Sequence, residues 1–227
     1  MMHPTMLLDL DGTLVDSVPD LADALNRLLA THGQPPLDHP AVAGFVGDGV
    51  AALVQRGFAA RAIAVPAGAV EAFLADYTPR SAERTRAFPG VPEMLVALRT
   101  QGWRLAVCTN KPEAAARAVL DQLGLASLID GLGGGDSFAV RKPDPGHLHA
   151  TLARLGGDAS RAVMLGDHAN DVVAARAARM PVIFAGWGYG PHAMADGAPV
   201  AGTAASVPAI AATLRIKIHG FMVGSSF

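Results

Sequence analysis

Short apolar runs that end in acidic or polar residues alternate along this chain with stretches whose apolar positions recur every three to four residues. The first run, Thr5 to Leu8, reads as a buried strand and stops at Asp9-Leu10-Asp11-Gly12. From Val18 to His32 the apolar residues Val18, Leu21, Leu25, Leu28 and Leu29 fall at helical spacing, closed by Gly33 and then Pro35-Pro36. Two more helical patterns follow, from about Val50 to Arg61 and from about Ala67 to Tyr77, with no strand pattern between them.

After Phe88-Pro89-Gly90 the texture changes. The pattern predicts a helix over Val91 to Thr100, a strand over Arg104 to Cys108, a helix over Glu113 to Leu123 and an apolar piece near Leu128 to Leu132. It continues with a helix over Gly146 to Leu155, a strand over Ala162 to Leu165, a helix over Asp171 to Ala178 and a strand over Pro181 to Ala185. Such alternation implies an α/β fold, a Rossmann-like parallel sheet with helices on both faces. The helical stretch from about Pro19 to Arg86 separates the first strand from the rest and reads as an inserted lid. The expected organisation is a catalytic core of residues 1–17 and 87–227 and a small all-α cap of residues 18–86. The tail from Ala198 has a loose pattern; Arg215 to Gly220 reads as a last short strand, and no function is assigned to it.

A chain of 227 residues, 51% hydrophobic and 17% charged, has room for one large core-rich domain with an insert. A formal charge of −2 without a Lys/Arg cluster speaks against nucleic acid as the main partner. No apolar segment reaches the length of a membrane span and the N-terminus lacks a signal-peptide pattern, so the expected location is the cytoplasm. Cys108 is the only cysteine, which excludes an intrachain disulfide and a Cys-rich metal site; it reads as a packing residue of its strand.

The chemistry concentrates where strands end. If Thr5 to Leu8 is a strand, its period of two sends Asp9 and Asp11 to the same side. Two carboxylates brought together repel by several kcal/mol unless a cation, a proton or hydrogen bonds compensate. The pair therefore points to a divalent metal and an anionic substrate, one acid attacking and the other moving protons, with Gly12 allowing a sharp turn that exposes backbone N–H groups. The plainer reading is a strand end whose acids begin a turn. Thr109 and Asn110 after the second strand offer donors for a phosphate, or simply an N-cap. Lys142 is a cation beside Pro143, or a solvated surface charge. Asp167 and Asp171, four residues apart after Val163-Met164-Leu165-Gly166, offer oxygen ligands suited to Mg²⁺, or a turn and a helix cap.

Together, Asp9-Leu10-Asp11-Gly12-Thr13-Leu14-Val15-Asp16-Ser17, Thr109 with Asn110, Lys142 before Pro143, and Gly166-Asp167 with Asp171 resemble the four motifs of the haloacid dehalogenase superfamily of phosphatases. The helical insert looks like that superfamily's small all-α cap. Phe88-Pro89-Gly90-Val91, Val46-Gly47-Asp48-Gly49 and Thr109-Asn110-Lys111 look most like its bacterial phosphoglycolate phosphatases. The resemblance implies Asp9 as nucleophile, Asp11 as general acid and base with its acid form favoured by neighbouring acids, and Mg²⁺ held by Asp9, the Asp11 carbonyl and Asp167, with Asp171 just outside. It implies that Thr109 and the backbone N–H groups after Asp9 hold the phosphoryl oxygens, that Lys142 pairs with Asp9 and phosphate, and that Gly12, Thr13, Gly47 and Asn110 bind substrate. The implied partner is a small phosphorylated metabolite, met by a monomer or homodimer. Sugar phosphomutase, pyrophosphatase and non-catalytic metabolite-binding readings remain open. Two positions depart from the pattern: His168, where a small hydroxyl residue is usual, and Asp48, expected to place an extra negative charge over the substrate.

Overall fold

The computed structural model describes residues 3–214, so the expected strand at Arg215 to Gly220 lies outside the described residues. The chain starts with β1 (Thr5–Leu8) and β2 (Val15–Asp16), then runs through α1 (Val18–Thr31), α2 (His39–Ala43), α3 (Val50–Ala59) and α4 (Ala69–Tyr77). It returns through β3 (Arg86–Ala87) to α5 (Val91–Thr100), β4 (Arg104–Cys108), α6 (Glu113–Gln122), β5 (Gly131–Gly133) and α7 (Pro145–Ala153). β6 (Ala162–Gly166), α8 (Ala169–Ala177), β7 (Val182–Ala185) and β8 (Val200–Ala201) complete the α/β pattern.

The six-stranded sheet has the order β5-β4-β1-β6-β7-β8, and every pairing in it is parallel. Parallel strands covered on both faces are buried at every position, as all four residues of β1 are, three of them apolar. Alternate residues feed different cores. Met6, Leu8, Leu105, Val107, Val163 and Leu165 pack toward α5 and α6, while Leu7, Ala106, Cys108 and Met164 pack toward α7 and α8. Cys108 is thus a packing residue, and burial pushes its thiol up to about 11.

Register fixes what meets at the carboxyl edge. Leu8 of β1 lies beside Val107 of β4 and Leu165 of β6, so the residues that follow all three strands emerge together. β1 is also where the sheet switches direction of growth, the place where ligands of open α/β sheets gather.

Helices α1 to α4 build a third apolar cluster, with Leu25 and Leu29 from α1, Phe58 from α3, and Phe73 and Tyr77 from α4, which Ala115 of α6 joins from the sheet side. Full burial of each such side chain contributes about 1.5–3 kcal/mol. The exit and return of the chain are tied by an antiparallel ribbon, Val15 beside Ala87 and Asp16 beside Arg86. Asp20 at the start of α1 strengthens the tie by accepting the N–H groups of Arg84 and Thr85 and the Thr85 hydroxyl.

Candidate active site

The loop after β1 is shaped by Gly12. Its φ of +86° favours glycine, and a Cβ there would lie 2.3 Å from Asp167 Oδ2. The sequence-based expectation for the turn needs a correction. The N–H of Gly12 donates to the Val15 carbonyl at 2.9 Å and that of Thr13 to the Leu10 carbonyl at 3.2 Å, so the turn itself uses both donors instead of offering them to an anion. What Thr13 supplies is its hydroxyl, which donates to Asp167 Oδ1 at 2.8 Å.

Lys142, placed before α7, is buried rather than a surface charge. Its Nζ lies 2.9 Å from Asp9 Oδ1 and 2.6 Å from Asp171 Oδ1. Carboxylate oxygens of Asp9, Asp167 and Asp171 all lie within 4.8 Å of one another. Burial, then the negative charges of Asp9 and Asp171, push the Asp167 carboxyl up to about 7. Asp171 is also raised by burial, with Lys142 opposing, and its Oδ2 accepts the His168 N–H at 3.0 Å. Both Asp171 oxygens are therefore engaged by the protein. Its capping and site readings coexist, since His168 and Asp171 form a reciprocal cap at the start of α8.

Asp11 points to a different partner from the one expected. Its carboxylate accepts from Lys111 Nζ at 3.0 and 3.2 Å, so its closest charged neighbour is a cation and not another acid. Lys111 also donates to the Tyr77 hydroxyl and lies 4.7 Å from the centre of that ring. Burial pushes Tyr77 up to about 12, so it stays a neutral phenol. Desolvation opposes the Lys111 charge, but Asp11 and Tyr77 outweigh it and raise the ammonium above its ordinary value.

A cleft of about 430 Å³ of atom-free space, counting the part open to solvent, joins Asp9, Asp11, Lys111 and Tyr77. Asp9, Asp11, Thr109, Asn110 and Lys111 line it from the sheet side. Leu21, Val46, Gly47, Val50, Leu53 and Tyr77 line it from the helical side. Thr109 does not cap α6, whose N-cap is Pro112; its hydroxyl accepts the Lys111 N–H at 3.2 Å.

Polar contacts hold the helical stretch against the sheet edge. Asn110 Nδ2 donates to the carbonyls of Gly47 and Lys142, both at 2.9 Å, while its Oδ1 is buried without a partner among the described residues. Asn170 Nδ2 reaches Asp48 Oδ1 at 2.7 Å. Asp48 does not place bare charge over the cleft. Burial opposes its ionisation, but hydrogen bonds from Asn170 and Arg56 hold its carboxyl below the ordinary value. His168 packs over Gly47, where a Cβ would fall 2.6 Å from the imidazole.

Three contributors were given no role from the sequence. Lys111 and Tyr77 are the first two. The third is Tyr189, whose N–H donates to Asp167 Oδ2 at 2.8 Å. Its hydroxyl donates to Asp16 Oδ1 at 2.7 Å and accepts the Ser17 N–H at 2.9 Å. Trp187, two residues earlier, bonds the Thr13 carbonyl at 3.0 Å. Gly186, Gly188 and Gly190 around them were the one available signal of a close loop.

Residues 3–179 match the family model described as haloacid dehalogenase-like hydrolase. The chain is 47% identical over 196 residues to a phosphoglycolate phosphatase of Rhodospirillum rubrum, covering 83% of this chain and 81% of that protein. It is 43% identical over 189 residues to a phosphoglycolate phosphatase of Caulobacter vibrioides, covering 82% and 80%. Among solved structures, one from Haemophilus somnus described as a predicted phosphoglycolate phosphatase superposes with a TM-score of 0.82 at 29% identity, covering 92% of this chain and 98% of that one.

Proposed function

This chain belongs to the haloacid dehalogenase-like hydrolase family, and from that premise we propose a Mg²⁺-dependent phosphatase of small phosphate monoesters, with 2-phosphoglycolate its substrate and Asp9 its nucleophile. The observation that carries this reading is the buried meeting of Lys142, Asp167 and Asp171 with Asp9, which itself opens with Asp11 into the cleft.

The donor set fits a divalent cation. Three buried carboxylates face one lysine, and Asp167 responds to burial first, and then to the surplus negative charge, by holding a proton more tightly. Asp9 and Asp167 with the Asp11 carbonyl would hold Mg²⁺, and Asp171 would orient Lys142 and the backbone beside them. Bound there, Mg²⁺ supplies charge neutralisation for the phosphoryl oxygens.

The chain's own residues do the rest. Lys142 fixes one Asp9 oxygen and screens its charge from the incoming phosphate. The Asp9 carboxylate attacks phosphorus as the ester P–O bond breaks, and Asp11 gives a proton to the departing alkoxide. A water then attacks the aspartyl-phosphate, Asp11 takes its proton, and phosphate and free Asp9 result. The Thr109 hydroxyl, at the cleft wall, donates to a phosphoryl oxygen. Catalysis of this kind is chiefly positioning and charge stabilisation.

Residues 18–86 act in this reading as the cap over a core of residues 1–17 and 87–227. The cap face supports a small substrate. Leu21, Val46, Val50 and Leu53 offer no hydrogen-bond partners to the hydroxyls of a sugar phosphate. Among the described residues no helix is long and apolar enough to cross a membrane, and we place the enzyme in the cytoplasm with freely diffusing metabolites.

The test is a screen of phosphate release with Mg²⁺ against 2-phosphoglycolate, hexose phosphates and pyrophosphate, repeated with a chelator. Strongest release from 2-phosphoglycolate, abolished by chelation, is expected. Hexose-phosphate isomerisation without release, or turnover that ignores the chelator, would overturn the reading.

A further inference from the structure

Among the described residues that line the cleft, Lys111 is the only cation, and no residue of the mechanism above needs it. A lysine this deeply buried carries a desolvation penalty of several kcal/mol, so its position calls for a reason. Two partners from separate elements hold it. Asp11 lies beyond β1, and Tyr77 sits in the last turn of α4, its ring stacked on Phe73 with centres 5.4 Å apart. The ammonium is thereby fixed at the wall where the part of the substrate beyond the phosphoryl group must lie.

We propose that Lys111 is the specificity-determining residue of this site, binding a carboxylate carried one carbon from the ester oxygen of the substrate. The inference deepens the phosphatase reading and rests on it. Asp11 must touch the ester oxygen to protonate it, and Lys111 Nζ is 3.0 Å from Asp11. An anionic group that reaches Lys111 while its ester oxygen touches Asp11 has only a short tether. A carboxylate on the α-carbon satisfies both contacts; the second phosphate of a sugar bisphosphate is too far away. The helical side of the cleft is otherwise lined by Leu21, Val46, Val50, Leu53 and two glycines, and among the described residues that line it no other cation competes for the carboxylate. Tyr77 adds a hydroxyl beside the ammonium and ties the recognition to α4, so the carboxylate is read only when the helical stretch lies against the sheet edge.

The experiment compares 2-phosphoglycolate with its carboxamide, of the same shape but with a neutral group in place of the carboxylate, as substrates of the full chain with Mg²⁺. The wild-type kcat/KM should favour the carboxylate by roughly 100-fold, the scale of a hydrogen bond between charged groups in a dry site. In Lys111→Met the ratio should fall to within about threefold of unity. Lys111→Gln keeps donors for Asp11 and Tyr77 but removes the charge, and should give the same collapse should the methionine variant fold poorly. Ratios are taken within each variant, so a general loss of turnover cancels. Equal hydrolysis of both esters by the wild type overturns the role of Lys111 and leaves the phosphatase reading standing, as does a ratio that persists in the variants. Failure of the wild type to release phosphate from either ester defeats the phosphatase reading instead.

Discussion

Replacing Lys142 with methionine removes the cation that sits between Asp9 and Asp171, at 2.9 and 2.6 Å. The methylene stem keeps its packing, so the perturbation is close to pure charge. Three carboxylates whose oxygens lie within 4.8 Å then share a buried site with no lysine among them. Leaving a buried charge without its partner costs about 3–5 kcal/mol. At roughly 2–4 °C per kcal/mol for a chain of this size, the metal-free midpoint should fall by roughly 6–20 °C. The pH dependence gives a sharper check. Asp167 titrates at about 7 in the fold against 3.8 as a free carboxyl, so its share of metal-free stability is full below 3.8 and lost as pH rises through 7. Lys142 should therefore matter most at pH 8, where the acids are ionised, and less at pH 5.5, where Asp167 holds its proton. Urea unfolding followed by circular dichroism, in chelator at both pH values and again with saturating Mg²⁺, reads this directly. A cation bound only by the folded cluster should recover part of the loss. Unchanged stability at pH 8 in chelator, or a larger loss at pH 5.5, refutes the charge-balance account.

Asp11→Asn should lower kcat most for alkyl esters and much less for an activated aryl phosphate, whose leaving group needs no proton; equal losses in steady-state assays would contradict its acid role. Gly12→Ala places a methyl 2.3 Å from Asp167 Oδ2 at a φ of +86°, and should cost about 1–2 kcal/mol of stability with at least a tenfold loss of kcat, checked by thermal unfolding and phosphate release. Burial and the Lys142 charge push His147 down to about 4, so its contribution is present above 6.5 and lost as pH falls toward 4. His147→Asn keeps an acceptor for the Lys142 N–H, bonded to Nδ1 at 3.2 Å, and should flatten the acid limb of stability by up to about 1.4 kcal/mol per pH unit.

What could be read from the sequence was local in origin. Asp9 and Asp11, Gly166 and Asp167, and the apolar strands before them announce themselves within a few residues, because a strand end and its turn are fixed by neighbours. Strands β2, β3 and β8, of two residues each, are too short for any period to show, and α2 is a five-residue turn started by the Asp38 cap. The Asp48 charge was misjudged because its balance comes from Arg56 on the next helix and Asn170 across the chain. Lys111 was visible beside Thr109 and Asn110 but silent, since only the approach of Tyr77 and Asp11 buries it.

Tyr189 shows why the least patterned part of the chain still matters to the acids. Its N–H fixes Asp167, its hydroxyl fixes Asp16 and the first N–H groups of α1, and Trp187 fixes Thr13. The loop can lie this close only because of its glycines. A Cβ on Gly188 would sit 2.3 Å from that of Asp167, and one on Gly190 only 1.9 Å from the Asp167 carbonyl. The sheet edge alone would leave Asp167 open to water on that side. Burial, the largest cause of its raised carboxyl, is thus supplied in part by a loop that also grips the chain where it leaves for α1. The same tyrosine therefore bonds Asp167 through its N–H and the start of α1 through its hydroxyl, so one residue joins the acid cluster to the point where the chain enters the helical stretch.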